Sequence, residues 1–223
     1  MKEKYFSPET IDIKALEMLE KVKNAVKRIK KQEFVPQKSA LIVIDMQKYF
    51  CEENSHAYIP SVTAIIPKIK LLVADYKAKN LPVIFTRHLN TSENAGMMNK
   101  WWREIISPED ERSKIISEFN TENFCIIEKS QYDAFYDTGL ENLLIKTGIS
   151  QLVITGVMTD LCCETTARSA FVRGFETFLP IDCTAAYNEI FHTSSFINLA
   201  HGFSNITFAN KISDKLKGIN NYE

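Results

Sequence analysis

Residues 40–45 have the sequence ALIVID, a short apolar run rich in β-branched side chains that ends in an aspartate. Continuous runs of this kind are typical of strands buried on both faces of a parallel sheet. Further along the chain, similar runs occupy residues 82–86, 124–128, 151–157, 177–181 and 205–208. Stretches with helical periodicity separate most of these runs, so we predict an α/β fold with right-handed crossovers. The expected architecture is three-layer α/β/α, with a six-stranded, mostly parallel, Rossmann-like sheet.

The helical stretches are set by apolar residues at helical spacing and by Pro, Ser and Gly at their ends. They are predicted at residues 9–31, 62–79, 140–146, 162–173 and 192–201, with a short helix beginning near 107. We expect an N-terminal helical extension over residues 1–37 and a single domain over 38–223. The first helix ends in a basic cluster at residues 27–31. That cluster suits a solvated helix end better than an anionic partner.

The overall composition is that of an ordinary globular protein and excludes several classes. The net charge is −1, so a generally basic nucleic-acid-binding surface is not expected. No apolar run is long enough for a membrane span, and the N-terminus lacks the pattern of a secretory signal. We therefore expect a cytoplasmic location. Five cysteines without regular spacing argue against a disulfide framework.

Three reactive side chains follow three different predicted strands. Asp45 closes the first strand, Lys129 follows the third, and Cys162 lies shortly after the fourth, at the start of a helix. Ligands of an open parallel sheet bind beyond the carboxyl ends of its strands. Each residue alone has a structural explanation, as a turn residue, a solvated lysine or a packed cysteine. Their occurrence at one sheet edge leaves two explanations open: a shared chemical role, or three separate structural roles.

A thiol, a carboxylate and an ammonium can act together on a carbonyl group. The ammonium and a helix N-terminus stabilise a thiolate. The carboxylate can take the thiol proton and return it to a leaving amine. The turn before the helix begins at Gly156. Its backbone N–H groups can hold the oxyanion. Gly156 also allows an unusual backbone path there.

The residues around these three positions resemble the motifs of the isochorismatase-like cysteine hydrolase family, over roughly residues 38–212. The first motif is IDMQ at 44–47 with Phe50 after it, and the second is Lys129 followed by YDAF at 132–135. The third is GVMTDLCCETTAR at 156–168. All three occur in the family's order on the expected elements.

The resemblance implies a catalytic triad of Asp45, Lys129 and Cys162. The family's nucleophile lies three residues after the motif threonine, which selects Cys162 and leaves Cys163 as a neighbour. The family also has a cis peptide that would fall between Val157 and Met158. That peptide would direct the amides of Met158 and Cys162 to the oxyanion. Proteins of this family are often dimers or tetramers, so the resemblance also implies a homo-oligomer.

One departure from the family concerns metal. Nicotinamidases of this superfamily bind a metal through an Asp-x-His sequence after the second strand, whereas this chain has His88-Leu-Asn at that place. We therefore predict no metal and no cofactor, and doubt nicotinamidase activity. His88 either lines the pocket or makes a structural hydrogen bond.

Four residues are predicted to contact the substrate: Phe50, Tyr132, Gln47 and His88. The long segment after the second strand also contains Met97, Met98, Trp101 and Trp102. These four either pack that segment against the protein or a second subunit, or contact the substrate.

The resulting hypothesis is a hydrolase that cleaves a C–N bond of a small amide, carbamoyl or ureido compound through a Cys162 thioester. One alternative is an isochorismatase-type vinyl ether hydrolase that does not need the cysteine. Another is a non-enzymatic binding protein on the same fold, and a redox role for Cys162 and Cys163 is the weakest option.

Overall fold

A computed structural model of the chain describes residues 1–26 and 32–218. Its sheet contains seven strands: β1 (Ser39–Ile44), β2 (Val83–His88), β3 (Cys125–Lys129), β4 (Gln151–Val157), β5 (Glu176–Pro180), β6 (Thr184–Ala185) and β7 (Ser204–Thr207). The strand order is β3-β2-β1-β4-β5-β7, and β6 pairs with the end of β4. All pairings between these strands are parallel.

Helices flank this sheet, most of them on the path between successive strands. They are α1 (Ile11–Ala25), α2 (Lys48–Cys51), α3 (Val62–Ala78), α4 (Met98–Trp101), α5 (Leu140–Lys146), α6 (Glu164–Val172), α7 (Glu189–Gly202) and α8 (Ala209–Lys217). Helix α3 packs against β1, β4 and α8, whereas α6 packs against β5 and α7. The predicted class, a mostly parallel sheet flanked by helices, is confirmed.

Several details of the prediction were wrong. The sheet has a seventh strand, β6, which is only two residues long and carries no recognisable pattern. Helices α2, α4 and α8 were not predicted, and the helix expected near residue 107 is a short 3-10 turn at Glu111–Ser113. Helix α1 ends at Ala25, and the basic cluster at 27–31 lies outside the described residues.

The centre of the sheet determines where the site can form. Every residue of β1 and β4 is buried, as expected for continuous apolar runs. The chain moves from β1 to β2 and β3 on one side, then returns to place β4 on the other side of β1. The gap between β1 and β4 is therefore the topological switch point, where open α/β sheets bind ligands.

Gly156 allows β1 and β4 to approach closely at this point. It pairs with Ile44, its φ is +105°, and a Cβ atom there would lie 2.1 Å from the carbonyl oxygen of Ile44. Only glycine combines this backbone conformation with this close contact. The close contact fixes the distance between the ends of β1 and β4, and therefore between the segments that follow these two strands.

The N-terminal segment belongs to the same hydrophobic core as the sheet. Tyr5, Phe6 and Ile11 are buried within it, as are three further apolar residues along α1. Helix α1 packs against α7. Within the described ranges, no helix has the length and apolar character needed to cross a membrane.

Candidate active site

Asp45, Lys129 and Cys162 meet at the carboxyl edge of the sheet. Asp45 follows β1, Lys129 ends β3, and Cys162 lies in a turn of π-helix, Thr159–Cys163, that connects β4 to α6. The Nζ atom of Lys129 lies 2.7 Å from Oδ2 of Asp45 and 3.4 Å from Sγ of Cys162. The three predicted residues thus form one cluster.

Lys129 is fixed by more than the carboxylate. Its Nζ atom also donates a 3.0 Å hydrogen bond to the carbonyl oxygen of Gln131. Burial lowers the pKa of Lys129, but Asp45 and then Cys162 reverse that effect, and the pKa lies above its usual value. The group is therefore an ammonium ion at neutral pH.

The Cys162 thiol is buried, with 5% of the residue exposed. Burial raises its pKa, the ammonium of Lys129 lowers it, and the carboxylate of Asp45 raises it again, for a net value well above the usual range. The net direction of these effects favours the thiol over the thiolate. A thiolate can form only if a neighbouring group accepts the proton as the sulfur attacks.

Thr86 positions the carboxylate of Asp45, although nothing in the sequence indicated this role. Its Oγ1 donates a 2.6 Å hydrogen bond to Oδ1 of Asp45 and accepts one from the Asp45 backbone N–H. Asp45 itself has a φ of +48°, which is uncommon for a residue with a side chain. Its other oxygen, Oδ2, faces Lys129.

The turn that contains Cys162 begins immediately after β4. The peptide bond between Val157 and Met158 is cis, as predicted. The turn is closed by a hydrogen bond from the Cys163 N–H to the carbonyl oxygen of Met158, five residues earlier. Single π-helical turns often occur at functional sites. Cys163 is completely buried, and its Sγ lies 3.9 Å from the carbonyl oxygen of Thr155.

The loop after Lys129 is held by helix α6. The N–H of Ala134 donates to Oγ1 of Thr166, and the hydroxyl of Ser169 donates to the carboxylate of Asp133. These bonds position Tyr132 beside the site, where its hydroxyl accepts a 2.7 Å hydrogen bond from the indole of Trp102.

An open cavity of ≈ 550 Å³, including the space at its mouth, leads to Cys162. Three of the four residues predicted to contact the substrate line it, namely Phe50, Tyr132 and His88. The four residues singled out in the long segment after β2 have two different environments. Met98 and Trp102 line the cavity, whereas Met97 and Trp101 are largely exposed and do not.

Gln47, expected at the substrate, lies elsewhere. Its side chain is completely buried and does not line the cavity. Its amide nitrogen donates to the carbonyl oxygens of His88 and Ser113, and its oxygen accepts from the His88 N–H. These three backbone bonds occupy the amide, so Gln47 joins the end of β1 to the end of β2.

The opposite wall of the cavity carries a polar cluster that the sequence analysis missed. Glu104 is held by Arg112 at 3.1 Å and by His56 at 2.9 Å, and His56 also approaches the hydroxyl of Tyr49. Burial raises the pKa of Glu104, but Arg112 and His56 outweigh it and keep the pKa below its usual value. The cavity thus has one carboxylate in its wall.

His88 does not offer a suitable metal site. Its Nε2 lies 2.8 Å from Oδ1 of Asn90 and its Nδ1 lies 3.5 Å from the ammonium of Lys129. Burial and then the charge of Lys129 lower the pKa of His88 to about 4, so the ring is neutral. Both ring nitrogens therefore have partners. The described part of the chain contains no cluster of three or more His, Cys, Asp or Glu side chains arranged for a metal ion.

Comparisons with known proteins agree with this architecture. The sequence model of the Isochorismatase domain matches residues 39–210. Nicotinamidase 3 of Arabidopsis thaliana is 37% identical over 185 residues, which is 81% of this chain and 89% of that protein. Enterobactin synthase component B of Escherichia coli is 31% identical over 73% of this chain, but the match covers only 58% of that protein. The first 38 residues precede the part of the chain that the Isochorismatase domain model matches.

A solved structure supports the fold independently. A cysteine hydrolase from Pseudomonas syringae pv. phaseolicola superposes with a TM-score of 0.81, covering 86% of this chain and 99% of that chain. The sequence identity is 24%, so this likeness concerns the fold.

Proposed function

This chain belongs to the isochorismatase family of hydrolases, and we propose that it cleaves a C–N bond of a small amide, carbamoyl or ureido compound through a Cys162 thioester. The observation that carries the proposal is the buried contact of Lys129 with both Asp45 and the Cys162 thiol at the end of a cavity. A vinyl ether hydrolase has no use for a thiol at that position.

In the first step, Cys162 Sγ attacks the substrate carbonyl carbon while its proton passes to Asp45. Because the pKa of the thiol is raised, transfer of its proton to Asp45 during the attack is favoured over attack by a preformed thiolate. Negative charge develops on the carbonyl oxygen, and the backbone N–H groups of Met158 and Cys162 are the donors that we assign to it. The Lys129 ammonium stabilises the sulfur as its proton leaves.

Collapse of the tetrahedral intermediate breaks the C–N bond. Asp45 returns its proton to the leaving nitrogen, which departs as ammonia or an amine, and the acyl group remains on Cys162. Asp45 then takes a proton from water, which attacks the thioester and releases the acid and the free thiol. Each proton that Asp45 accepts is returned, so the cycle needs no cofactor.

The charge of the cavity favours a neutral or singly charged compound over the isochorismate dianion. Isochorismate carries two carboxylates, whereas the described lining of the cavity contains Glu104 and neither lysine nor arginine. The low pKa of Glu104 keeps that group negative at neutral pH. Because Glu104 is already paired with Arg112 and His56, the described lining offers a dianion no free counter-ion.

The test is a panel of four compounds: nicotinamide, ureidoacrylate, N-carbamoylsarcosine and isochorismate. We expect hydrolysis of at least one of the first three, with an acyl group trapped on Cys162 and detected by mass spectrometry after acid quenching. Turnover of isochorismate that survives Cys162→Ala would instead establish the ether hydrolase. Absence of turnover and of any trapped acyl group on a wider amide set would favour the binding protein.

A further inference from the structure

The first six residues, which we call the N-terminal strap, bridge two walls of the cavity although they lie outside the matched domain. The Nζ atom of Lys2 donates to the backbone carbonyls of His56 and Tyr58, at 2.7 Å for Tyr58. His56 lines the cavity. One side chain of the strap therefore holds the backbone of one wall.

The same strap holds the wall formed by Tyr187. The N–H of Glu3 donates a 2.8 Å hydrogen bond to the carbonyl oxygen of Tyr187, and Lys2 Nζ lies 4.6 Å from the centre of its ring. Tyr187 lines the cavity. Next to it, the side chain of Glu3 accepts from the N–H of Glu189.

The end of the strap reaches the turn that carries Cys162. The rings of Tyr5 and Phe6 each lie 5.3 Å from the ring of His192. His192 is completely buried, and its Nδ1 lies 3.0 Å from Oγ1 of Thr159, the first residue of that turn. The strap thus contacts both walls and the support of the turn.

Separate hydrogen bonds anchor this end of the strap to the core. The N–H groups of Tyr5 and Phe6 both donate to Oγ of Ser61, and the Tyr5 hydroxyl accepts from the N–H of Ala186. Because Tyr5 and Phe6 are buried, the strap is seated even if its first residues are altered. A change at Lys2 can therefore loosen the walls without displacing the whole segment.

We propose that the N-terminal strap positions the His56 and Tyr187 walls and thereby sets how tightly the cavity binds its substrate, with Lys2 as the positioning residue. The expected effect on kinetics rests on the proposed function. The expected effect on the walls rests only on the contacts that Lys2 makes with both of them.

The experiment compares Lys2→Met with two matched variants. Lys2→Arg keeps a cation and hydrogen-bond donors. Lys4→Met removes the same charge from the same strap, at an exposed side chain for which the described structure records no hydrogen bond to either wall. Hydrogen exchange by mass spectrometry would follow peptides that cover residues 53–60 and 184–192, with α5 as the internal reference.

We expect Lys2→Met to raise exchange at least about threefold in both wall peptides and to leave α5 unchanged. Lys2→Arg should restore most of the protection, and Lys4→Met should match wild type. Wild-type exchange in Lys2→Met, or an equal increase in Lys4→Met, would overturn the positioning role.

The kinetic arm uses nicotinamide, ureidoacrylate or N-carbamoylsarcosine, whichever is hydrolysed. We expect the KM of Lys2→Met to rise at least about fivefold while kcat changes less than about twofold, because a change confined to binding alters KM. A fall in kcat of about fivefold with an unchanged KM would contradict the inference. If no compound is hydrolysed, the proposed function fails, whereas the exchange result still decides the role of the strap.

Discussion

Lys129 forms a 2.7 Å ion pair with Asp45 in a place where neither side chain is exposed to solvent. A buried pair of this kind gains little net stability, because desolvation of both ions opposes their attraction. Its position beside a thiol is better explained by a role in catalysis than by a role in stability. The pair holds a proton acceptor and a cation at one sulfur atom, and each would be costly to bury alone.

Removal of the thiol should abolish amide hydrolysis. We expect Cys162→Ala to lower kcat/KM at least about 10³-fold, because the acyl-enzyme cannot form. The neighbouring Cys163→Ala is the matched control, since its sulfur points to Thr155, and it should retain most activity. Assays of both variants on the same amide, with thermal unfolding to verify the fold, provide the measurement. Comparable losses in the two variants would contradict the assignment of Cys162.

Breaking the ion pair should cost both stability and activity. Lys129→Met leaves a buried carboxylate unpaired, and we expect the free energy of unfolding to fall by about 3–5 kcal/mol. The double variant Asp45→Asn/Lys129→Met removes both charges, so it should recover most of that stability while remaining inactive. Urea unfolding of the two variants and wild type measures the difference. A double variant no more stable than Lys129→Met would show that charge is not the cause.

The resting thiol should alkylate slowly at neutral pH. Because burial raises the pKa of Cys162 above its usual range, the rate of reaction with iodoacetamide should still be rising at pH 9. Lys129→Met should slow the reaction further, since the ammonium lowers the thiol pKa. Peptide mass spectrometry locates the label and separates it from that on the exposed Cys125. A plateau with a midpoint below about 8.5 would mean that the thiolate forms before the substrate binds.

Asp182 should make the fold less stable as the pH rises through the range between about 4 and 6. Burial raises its pKa from 3.8 to about 6, although the N–H of Ala209 and the charge of Lys68 oppose the change. In that range the folded state binds more protons than the unfolded state, so stability decreases with increasing pH. Asp182→Asn keeps the acceptor for Ala209 and removes the charge.

We expect Asp182→Asn to be more stable than wild type at pH 8 by up to about 3 kcal/mol, with the gain vanishing by pH 4. Denaturant unfolding at both pH values measures it. A variant less stable than wild type at pH 8 would show that the carboxylate contributes an interaction which Asn cannot replace.

Gly156→Ala should damage the sheet at the switch point. Its Cβ would meet the carbonyl oxygen of Ile44 at 2.1 Å, so β1 and β4 must separate. Gly174→Ala is the matched control, because Gly174 also has a positive φ, +87°, but open space around it. We expect Gly174→Ala to cost about 1–2 kcal/mol and Gly156→Ala at least about 3 kcal/mol. Similar losses in thermal stability for both variants would place the whole effect in the backbone conformation.

The arrangement of the three reactive side chains was determined by the sequence. Buried apolar runs separated by helices predict parallel strands, and the carboxyl ends of parallel strands meet at one edge. Asp45, Lys129 and Cys162 each follow such a run, so their proximity could be predicted from their positions. Gly156 likewise indicated an unusual backbone path after the fourth strand, whereas its close approach to Ile44 became visible only in the structure.

Only the tertiary structure decided how the cavity is built and how the thiol ionises. The wall residues His56, Glu104 and Tyr187 lie in segments without periodic pattern, so their directions depend on what packs against them, including the N-terminal strap. Gln47 belongs to a recognisable motif, yet three backbone groups occupy its amide. The pKa of Cys162 depends on burial and on two charges brought from other strands. These are properties of surroundings that separate parts of the chain create together, and local sequence does not encode them.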